Sequence, residues 1–488
     1  MYVEQREPIL SGGKTKNARD LRYYLSETER QLPGHLVRVE KEIDSRFEVS
    51  ALIRNLESDG KLPALLFENV KSISGTPGKR VLANLTAARR RICTAFDLPP
   101  EQWRAELTRR FADRGNKPIP PLVIDRASAP VRQVVKTGKD ADLRELPMIY
   151  HHEMDGNPYG TMIVCMKKPD GMGYNTAYHR TMYKGPQKTG IHMSPFHSWR
   201  IYTENEKQGK PTPVVIVHGH HPAFHLSAAF MSPWTWDEYG TAGGMIGEAL
   251  RLVPSETWGE EFLVPADAEV IIEGLIQPGY REPEGPFGEW PSYYGPQRQN
   301  PVIQVTAITH RSDYIWYDTD IGEIDFPGIG WEAEIQRRVE DALPGGLRGV
   351  HCPWSGQKGF HVYISINKLS EGLPYLAAMA AQTIGYPKLI VVVDDDVDPF
   401  DVVAVLQAVA TRFQADKDMV VLPHVRGSML DPSMEHLHTH TSLFIDATKP
   451  VNAAFPEKVK VPKEALDRIK IPDFIPQEIV DRIPWSPR

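Results

Sequence analysis

The middle of the 488-residue chain, from about residue 132 to residue 320, consists of short β-prone runs separated by turns. The segments YGTMIVCMKK and MGYNTAYHRTMYK flank a PDG turn and predict a hairpin. Further strand candidates are PVVIVHG, AEVIIEGLI and PVIQVTAITHR. Apolar and aromatic runs bounded by Gly, Pro and Asp are typical of strands joined by tight turns. The pattern therefore predicts a mainly antiparallel β domain, with a barrel as one way of closing it.

Both flanks of this region alternate between helical and strand patterns. Before it, residues 17 to 60 have a mainly helical pattern, ALLFENV predicts a buried strand and KRVLANLTAARRRICTAF predicts a helix. After it, the helix candidate WEAEIQRRVEDAL precedes repeated strand–helix units of the kind found in parallel layered sheets. We therefore predict an α/β multidomain protein with an N-terminal α/β domain (1–128), a central β domain (129–318) and a C-terminal α/β domain (319–488).

Composition argues against several classes of function. The 56 basic and 63 acidic residues are spread along the chain, and no long basic tract is present to neutralise the phosphates of a nucleic acid. Cys93, Cys165 and Cys352 lie far apart without a CxxC pair, so neither a disulfide framework nor a thiolate zinc site is expected. No export signal or bilayer-length apolar run is recognisable. We expect a cytoplasmic protein that binds neither nucleic acid nor membrane.

Glycine-rich segments do not predict a nucleotide site. GGKT lacks the first glycine of a Walker A motif and has no strand before it, and GTAGGMIGE lacks the spacing of a dinucleotide fingerprint. NAD and P-loop chemistry are therefore not expected.

The segment EPEGPFGEW carries two carboxylates, Glu284 and Glu289, around a Gly-Pro-Phe-Gly core. Pro286 and Gly288 disfavour a helix, and residues five apart in a straight strand point to opposite faces, so the two acids converge only if the chain turns between them. Two close carboxylates raise one pKa and an adjacent arginine lowers it again, which suits an acid that transfers a proton. A solvated surface turn is the competing interpretation of this motif on its own.

A second motif, NTAYHR, lies on a predicted strand of the same domain. Its Arg180 is suited to holding a carboxylate through two hydrogen bonds. Asn175 at its start is followed downstream by His197 and Glu238. An amide oxygen, an imidazole and a carboxylate form an incomplete ligand set that suits a divalent metal whose other positions go to water or phosphate oxygens.

Two groups of histidines indicate a different possible metal site. Alternate histidines on a strand point to one face and can chelate a metal such as zinc. Structural histidines are the competing interpretation for each group, so a histidine-rich, metal-dependent hydrolase remains an alternative function. The groups consist of His218, His220, His221 and His225 in HGHHPAFH, and of His436, His438 and His440 in HLHTH.

Taken in order, the motifs resemble the UbiD family of reversible decarboxylases, which use prenylated flavin mononucleotide. The resemblance runs over most of the chain and includes LLFENV, VLANL, PVRQVVKTGKDADLRELP, NTAYHR, DEYG, EPEGPFGE and DDDVDPFD, of which PEGPFGE is quite specific. It implies a central split β-barrel that binds the flavin, flanked by the two α/β domains, with the active site between the central and C-terminal domains.

The resemblance also implies roles for individual residues. Arg180 would orient the substrate carboxylate, Glu289 would donate the proton and Glu284 would tune both electrostatically. A manganese or magnesium ion would bridge to the flavin phosphate, with a potassium ion nearby. The ligands of the divalent ion would be Asn175, His197 and Glu238, and the residues lining the flavin would include Tyr178, His179 and Phe196.

The predicted function is that of a carboxy-lyase. It would remove CO2 reversibly from an aromatic, heteroaromatic or α,β-unsaturated carboxylic acid, with a cofactor supplied by a flavin prenyltransferase. We expect a homodimer or a larger homo-oligomer, with an oligomerisation segment in the C-terminal domain.

One position departs from the family pattern. Many members place a lysine four residues before the aspartate of a DAT-like motif, near the flavin phosphate, whereas this chain has Ser442 there. Lys449 or one of the nearby histidines is the candidate replacement. A non-catalytic flavin-binding protein of the same fold is therefore a further alternative.

Overall fold

The computed structural model describes residues 18–320, 325–434 and 439–483. In the N-terminal part, helices pack against a four-stranded sheet of order β1-β2-β3-β16. The strand predicted from ALLFENV is confirmed as β2. These elements are α1 (Leu21–Gln31), β1 (Leu36–Val39), α2 (Glu48–Ser58), β2 (Ala64–Val70), β3 (Lys79–Ala83), α3 (Arg89–Ala95) and α4 (Ala105–Gly115), and β16 (Ile315–Tyr317) completes the sheet from later in the chain.

Two helical predictions in this part are wrong in detail. Residues of β1 form a strand because they pair in parallel with β2, Leu36 lying opposite Ala64. KRVLA likewise forms β3, and the predicted helix begins only at Arg89. In both segments, pairing with the buried β2 decides the conformation, which local helix propensity does not predict.

Six antiparallel strands of the central part close into a barrel. The order around it is β12-β9-β6-β7-β8-β15, and β15 pairs back with β12. The predicted hairpin is confirmed as β6–β7. The elements are β4 (Leu122–Val123), β5 (Val134–Thr137), β6 (Tyr159–Lys167), β7 (Tyr174–Gly185), β8 (Lys188–Ile191), α5 (His197–Lys207), β9 (Thr212–His218), α6 (Pro222–Ser227), α7 (Glu238–Ile246), β10 (Arg251–Ser255), β11 (Gly259–Pro265), β12 (Val270–Glu284), β13 (Phe287–Gly288), β14 (Tyr294–Gly295) and β15 (Arg298–His310).

The barrel strands are apolar on both faces. In β9, Val215 and Val217 belong to the core shared with the helices around the barrel, whereas Val214 and Ile216 belong to a second core cluster. A strand covered on both sides is a continuous apolar run rather than an alternating one. This burial on both faces explains the sequence PVVIV.

The C-terminal part contains a five-stranded sheet of order β17-β18-β19-β21-β20. Strands β18, β19 and β21 are parallel, as predicted, but β17 and β20 are antiparallel to their neighbours. After the sheet, residues 448–483 carry three short helices. The elements are α8 (Asp325–Ala342), β17 (Leu347–His351), β18 (His361–Ile366), α9 (Leu373–Gln382), β19 (Leu389–Asp394), α10 (Val402–Arg412), β20 (Met419–Arg426), β21 (Thr439–Ala447), α11 (Lys463–Arg468), α12 (Ile471–Phe474) and α13 (Gln477–Val480).

The acidic run DDDVDP ends a strand and binds arginines. Asp394 and Asp396 pair with Arg412 at 2.7 and 2.9 Å, and Asp398 pairs with Arg104 at 3.1 Å. These contacts favour a structural role over a cation site. In the described part of the chain, no helix combines the length and apolarity that crossing a bilayer requires.

Candidate active site

A cavity of about 1100 Å3 lies between the barrel and the C-terminal sheet. One wall is formed by β7 and the starts of α5 and α7, and another by the last residue of β20 and the segment after it, residues 426–430. All but one of the predicted site residues line this cavity. They are Asn175, Tyr178, His179, Arg180, Phe196, His197, Glu238 and Glu289.

The remaining residue, Glu284, is fully buried behind Arg180. Arg180 donates from Nε to Glu284 Oε1 at 3.0 Å and from Nη2 to Oε2 at 2.9 Å. Its third nitrogen, Nη1, contacts Glu289 Oε1 in a short ion pair. Asn300 donates a further hydrogen bond to Glu284 Oε2 at 2.8 Å. One guanidinium therefore lies between two carboxylates, one buried and one facing the cavity.

The turn in EPEGPFGEW brings the two glutamates together. Strand β12 ends at Glu284, and Gly285 has a φ of +95°, a conformation that favours glycine and redirects the chain. The next residues pair with β14, and the Glu289 N–H donates to the Tyr293 carbonyl at 2.9 Å. The Gly288 N–H is anchored on Asp155 Oδ1 at 2.9 Å. The predicted convergence of the two acids is thus produced by a short, well-anchored hairpin.

Burial and charge act in opposite directions on Glu284. Burial raises its pKa, but the positive charge of Arg180 and the hydrogen bonds from Arg180 and Asn300 outweigh burial, so the pKa lies below its usual value. The neighbouring His192 has a pKa lowered to about 3 by burial and by the charge of Arg180. At neutral pH, Glu284 is therefore ionised and His192 is neutral.

Three potential metal ligands meet at the other end of the cavity. Glu238 is the first residue of α7 and His197 the first of α5. His197 Nδ1 lies 3.4 Å from Glu238 Oε1, and the Asn175 side-chain nitrogen lies 2.9 and 3.1 Å from the two carboxylate oxygens. The set contains only two residues of the His, Cys, Asp and Glu types. No group of three or more of these types is arranged to hold a metal in the described chain.

The hydrogen bonds around Ser198 test whether this ligand set fits a cation. His179 Nδ1 lies 2.8 Å from the His192 carbonyl, which only accepts, so Nδ1 carries the hydrogen. Burial lowers the pKa of His179 to about 4, so Nε2 is an acceptor at neutral pH. Ser198 Oγ lies 3.0 Å from this nitrogen and 2.8 Å from Asn175 Oδ1. A single hydroxyl hydrogen cannot serve both acceptors.

A half-turn of the Asn175 amide removes this conflict. The amide NH2 then donates to Ser198 Oγ, the hydroxyl donates to His179, and Asn175 Oδ1 faces Glu238. The contact between an amide oxygen and a carboxylate is repulsive, because both are acceptors, unless a cation lies between them. The donor set therefore fits a hard divalent ion.

The sequence did not reveal several other residues around this cavity. His192, directly after β8, and Asn300, on β15, lie beside the Arg180–Glu284 pair, and no motif marks them. Arg426 enters the cavity from the C-terminal sheet. Asn300 could have been predicted only from the pairing of β12 with β15, which places it opposite Glu282.

The first histidine group is structural rather than metal-binding. Its four members are buried, and none lines the cavity. His218 contacts the Tyr317 carbonyl at 2.9 Å and stacks on Trp316 at 3.5 Å. Backbone N–H groups of the same segment donate to the rings of His220, His221 and His225. These contacts do not support the hydrolase alternative.

The second histidine group is only partly described. His436 and His438 lie outside the described residues. His440 is buried, with Nε2 3.0 Å from Ser442 Oγ and 3.1 Å from the Pro387 carbonyl.

Family models and a relative identify the protein class. Models of the N-terminal, Rift-related and C-terminal domains of 3-octaprenyl-4-hydroxybenzoate carboxy-lyase match residues 29–111, 123–324 and 327–447. A gallate decarboxylase of Lactiplantibacillus plantarum is 32% identical over 448 residues, which cover 85% of this chain and 89% of the relative. The chain belongs to the UbiD family.

Solved structures of UbiD-class enzymes have the same fold. The enzyme HmfF from Pelotomaculum thermopropionicum in complex with FMN is 35% identical, with a TM-score of 0.85 covering 93% of this chain and 100% of HmfF. An evolved dimeric form of HmfF in complex with prFMN has a TM-score of 0.83 and 33% identity, covering 94% of this chain and 100% of that form. The predictions of a UbiD-family carboxy-lyase and of a mixed α/β fold around a β-barrel are confirmed.

Proposed function

We propose that this protein is a prenylated-FMN-dependent decarboxylase that acts without net oxidation and reversibly on an aromatic, heteroaromatic or α,β-unsaturated carboxylic acid. The observation that carries this proposal is the placement of Arg180 between Glu284 and Glu289 at the wall of a cavity of about 1100 Å3. Small-molecule sites are typically about 300 to 1,000 Å3. The cavity therefore has room for a flavin and an acid together.

The cofactor would span the two ends of the cavity. Tyr178, His179 and Phe196 would line the flavin, and Asn175, His197 and Glu238 would hold manganese or magnesium at its phosphate, with potassium nearby. When bound, prenylated FMN supplies the electron sink that no amino-acid side chain offers for the loss of CO2 from an sp2 carbon. A flavin prenyltransferase would supply this cofactor. We propose the cytoplasm as the compartment, since the three cysteines are buried free thiols.

The charges of the triad couple substrate binding to proton uptake. Arg180 with two ionised glutamates has a net charge of −1, which repels an incoming carboxylate. With Glu289 protonated the triad is neutral, and Nη1 of Arg180 becomes available to orient the acid. The proton that enters with the substrate is then the one that Glu289 delivers to the carbon after CO2 leaves. Glu284 stays ionised and holds the guanidinium in place.

The other functions considered from the sequence have weaker support. A purely flavin-binding protein has no need for a buried, hydrogen-bonded acid–arginine–acid triad, whose assembly costs desolvation energy. A hydrolase centred on the first histidine group would need ring nitrogens that open on a cavity, and these rings are packed in the core.

The proposed function is tested with Glu289→Gln in protein produced together with a flavin prenyltransferase and supplied with manganese. We expect CO2 release from a panel of acids to fall by about 10²- to 10⁴-fold, the usual contribution of a positioned general acid. Exchange of solvent deuterium into a product analogue should fall as well, with an unchanged content of bound flavin.

Glu282→Gln is the matched control. It changes a glutamate of the same strand that pairs with Lys188 at 2.6 Å outside the cavity, and it should leave turnover unchanged. No turnover of any acid by the wild type, with deuterium exchange indifferent to Glu289→Gln, would overturn the assignment.

A further inference from the structure

Of the groups that the sequence offers for the flavin phosphate, Ser442, Lys449 and His440 are described, and none of them lines the cavity. Ser442 is fully buried, and its hydroxyl donates to the Pro387 carbonyl at 2.8 Å. Lys449 pairs with Asp396 at 3.2 Å, and neither it nor His440 lines the cavity. Within the described part of the C-terminal sheet, these three positions therefore offer no cation to a phosphate bound in the cavity.

Arg426 reaches the cavity from the same sheet. It is the last residue of β20, opposite Thr439 on β21, and it lines the cavity next to Gly427 and Ser428. Its guanidinium carbon lies 5.0 Å from the centre of the Phe196 ring. Phe196 directly precedes the predicted metal ligand His197, so Arg426 lies at the metal end of the cavity.

The guanidinium of Arg426 is available for an anion. Within residues 18–320, 325–434 and 439–483, no carboxylate lies within ion-pair distance of it. By contrast, Arg412 of the same domain is engaged by Asp394 and Asp396. Its 5.0 Å contact with the Phe196 ring is within cation–π range and helps to position the guanidinium at the cavity wall.

Two other cations near the cavity are less suitable. Lys168 lies 4.0 Å from Glu238, but its ammonium donates to the carbonyls of Trp234 and Trp236, and its side chain does not line the cavity. Arg298 lines the cavity at the opposite end, where it lowers the pKa of His192 beside Arg180 and Glu284. Arg426 is thus the cation best placed to meet a group bound beside His197 and Glu238.

We propose that Arg426 binds the phosphate of the flavin and takes the part of the lysine that Ser442 replaces. The inference rests on the proposed function, since it assumes that the cavity binds a flavin nucleotide. A guanidinium donates two parallel hydrogen bonds to a phosphate, which a single ammonium does not. Because Arg426 belongs to the C-terminal sheet and Phe196 to the barrel region, phosphate binding would also tie these two parts together.

The test compares FMN with riboflavin, which lacks the phosphate, by titrating apoprotein in the presence of Mn²⁺ and following the quenching of flavin fluorescence. For Arg426→Met we expect FMN affinity to fall by about 10- to 100-fold, as for loss of a hydrogen-bonded charge pair. Riboflavin affinity should stay within about twofold of wild type, which also shows that the cavity is intact. Arg426→Lys should recover part of the loss.

Lys449→Met serves as the matched control, and both flavins should bind it as they bind the wild type. An unchanged ratio of FMN to riboflavin affinity in Arg426→Met, or equal affinity of the wild type for both flavins, would overturn the role of Arg426 alone. A wild-type protein that binds neither flavin would overturn the proposed function and this inference with it.

Discussion

At the scale of single residues, two glutamates of one turn acquire different properties from their surroundings. Glu284 is enclosed and accepts hydrogen bonds from Arg180 and Asn300, whereas Glu289 faces the cavity. Both contact the same guanidinium, but only Glu289 can also reach a bound substrate. The proposed division of roles, with Glu289 as proton donor and Glu284 as charge anchor, rests on this difference in burial rather than on residue type.

Because buried histidines resist protonation, we expect the unfolding free energy of the protein to decrease in acid. Burial lowers the pKa of His220 to about 4, against an ordinary value of 6.5. Because the folded-state pKa is the lower one, the unfolded chain takes up the proton first as the pH falls. The stabilisation is therefore fully present above pH 6.5 and is lost progressively between pH 6.5 and 4. For His220 this loss is on the order of 3 kcal/mol.

The variant His220→Asn tests this expectation. Asparagine keeps a side-chain acceptor for the His221 N–H, which donates to His220 Nδ1 at 2.8 Å, but it does not titrate. We expect the unfolding free energy of the variant, measured by urea denaturation, to fall between pH 7 and pH 4 by about 3 kcal/mol less than that of the wild type. The same change at the exposed His424 should leave the decrease unaltered. Equal decreases in all three proteins would contradict the prediction.

Among the elements, α7 shows that a glycine-rich segment can serve close packing rather than nucleotide binding. Its sequence EYGTAGGMI carries Glu238 at the first position and packs closely against residues 114–119. A Cβ on Gly244 would lie 2.4 Å from the Lys117 carbonyl oxygen and 2.7 Å from that of Arg114. The glycines therefore allow close packing of backbone on backbone, and this packing sets the position of Glu238.

Two alanine substitutions in α7 separate packing from helix propensity. Gly244→Ala should destabilise the protein by about 1 to 3 kcal/mol, as overpacking does, and should weaken Mn²⁺ binding because α7 shifts. Gly240→Ala should be neutral or slightly stabilising, because its Cβ would meet Pro118 at an ordinary 3.5 Å and alanine favours helix. Thermal unfolding and Mn²⁺ titration measure both effects. Similar behaviour of the two variants would argue against the packing role.

At the scale of the whole molecule, residues 448–483 have no core of their own. Strongly exposed apolar residues follow one another along them, and the matched C-terminal family model ends at residue 447. Exposed apolar side chains in this number along one segment point to an interaction surface. The side chains and their exposed fractions are Val459 (101%), Leu466 (60%), Ile471 (59%), Phe474 (66%) and Ile483 (60%).

We expect this tail to pack against a second copy of the chain. Helix α10 offers apolar side chains for such a contact, since Val403 and Leu406 are more than half exposed. Removal of residues 455–488 should convert the assembly to monomers in size-exclusion chromatography with light scattering. Ile471→Asp combined with Phe474→Asp should do the same in the full chain, while the exposed change Glu464→Gln should not. A truncated protein of unchanged assembly size would contradict this role.

Short segments of the sequence predict some of the strands, whereas other strands depend on pairing with distant segments. ALLFENV and the hairpin around PDG were predicted correctly because apolar runs between turn residues have few alternatives. The strand Leu36–Val39 was not predicted, because it forms only through pairing with β2. Similarly, the cap of α10 depends on the local fold: Asp401 accepts from the Ala404 N–H, whereas the nearby Asp398 accepts from the Phe400 N–H in the turn before the helix.

Residue types and short spacings were sufficient to predict the family and the fold class, and they supplied the candidates for the site residues. The environments of those residues depend on how distant segments pack. The closure of β12 on β15 enclosed Glu284 and brought Asn300 to it. Folding buried the first histidine group in the core and brought Arg426 over Phe196 from more than two hundred residues away. Burial and charge depend on such long-range pairing, which residue types and short spacings do not encode.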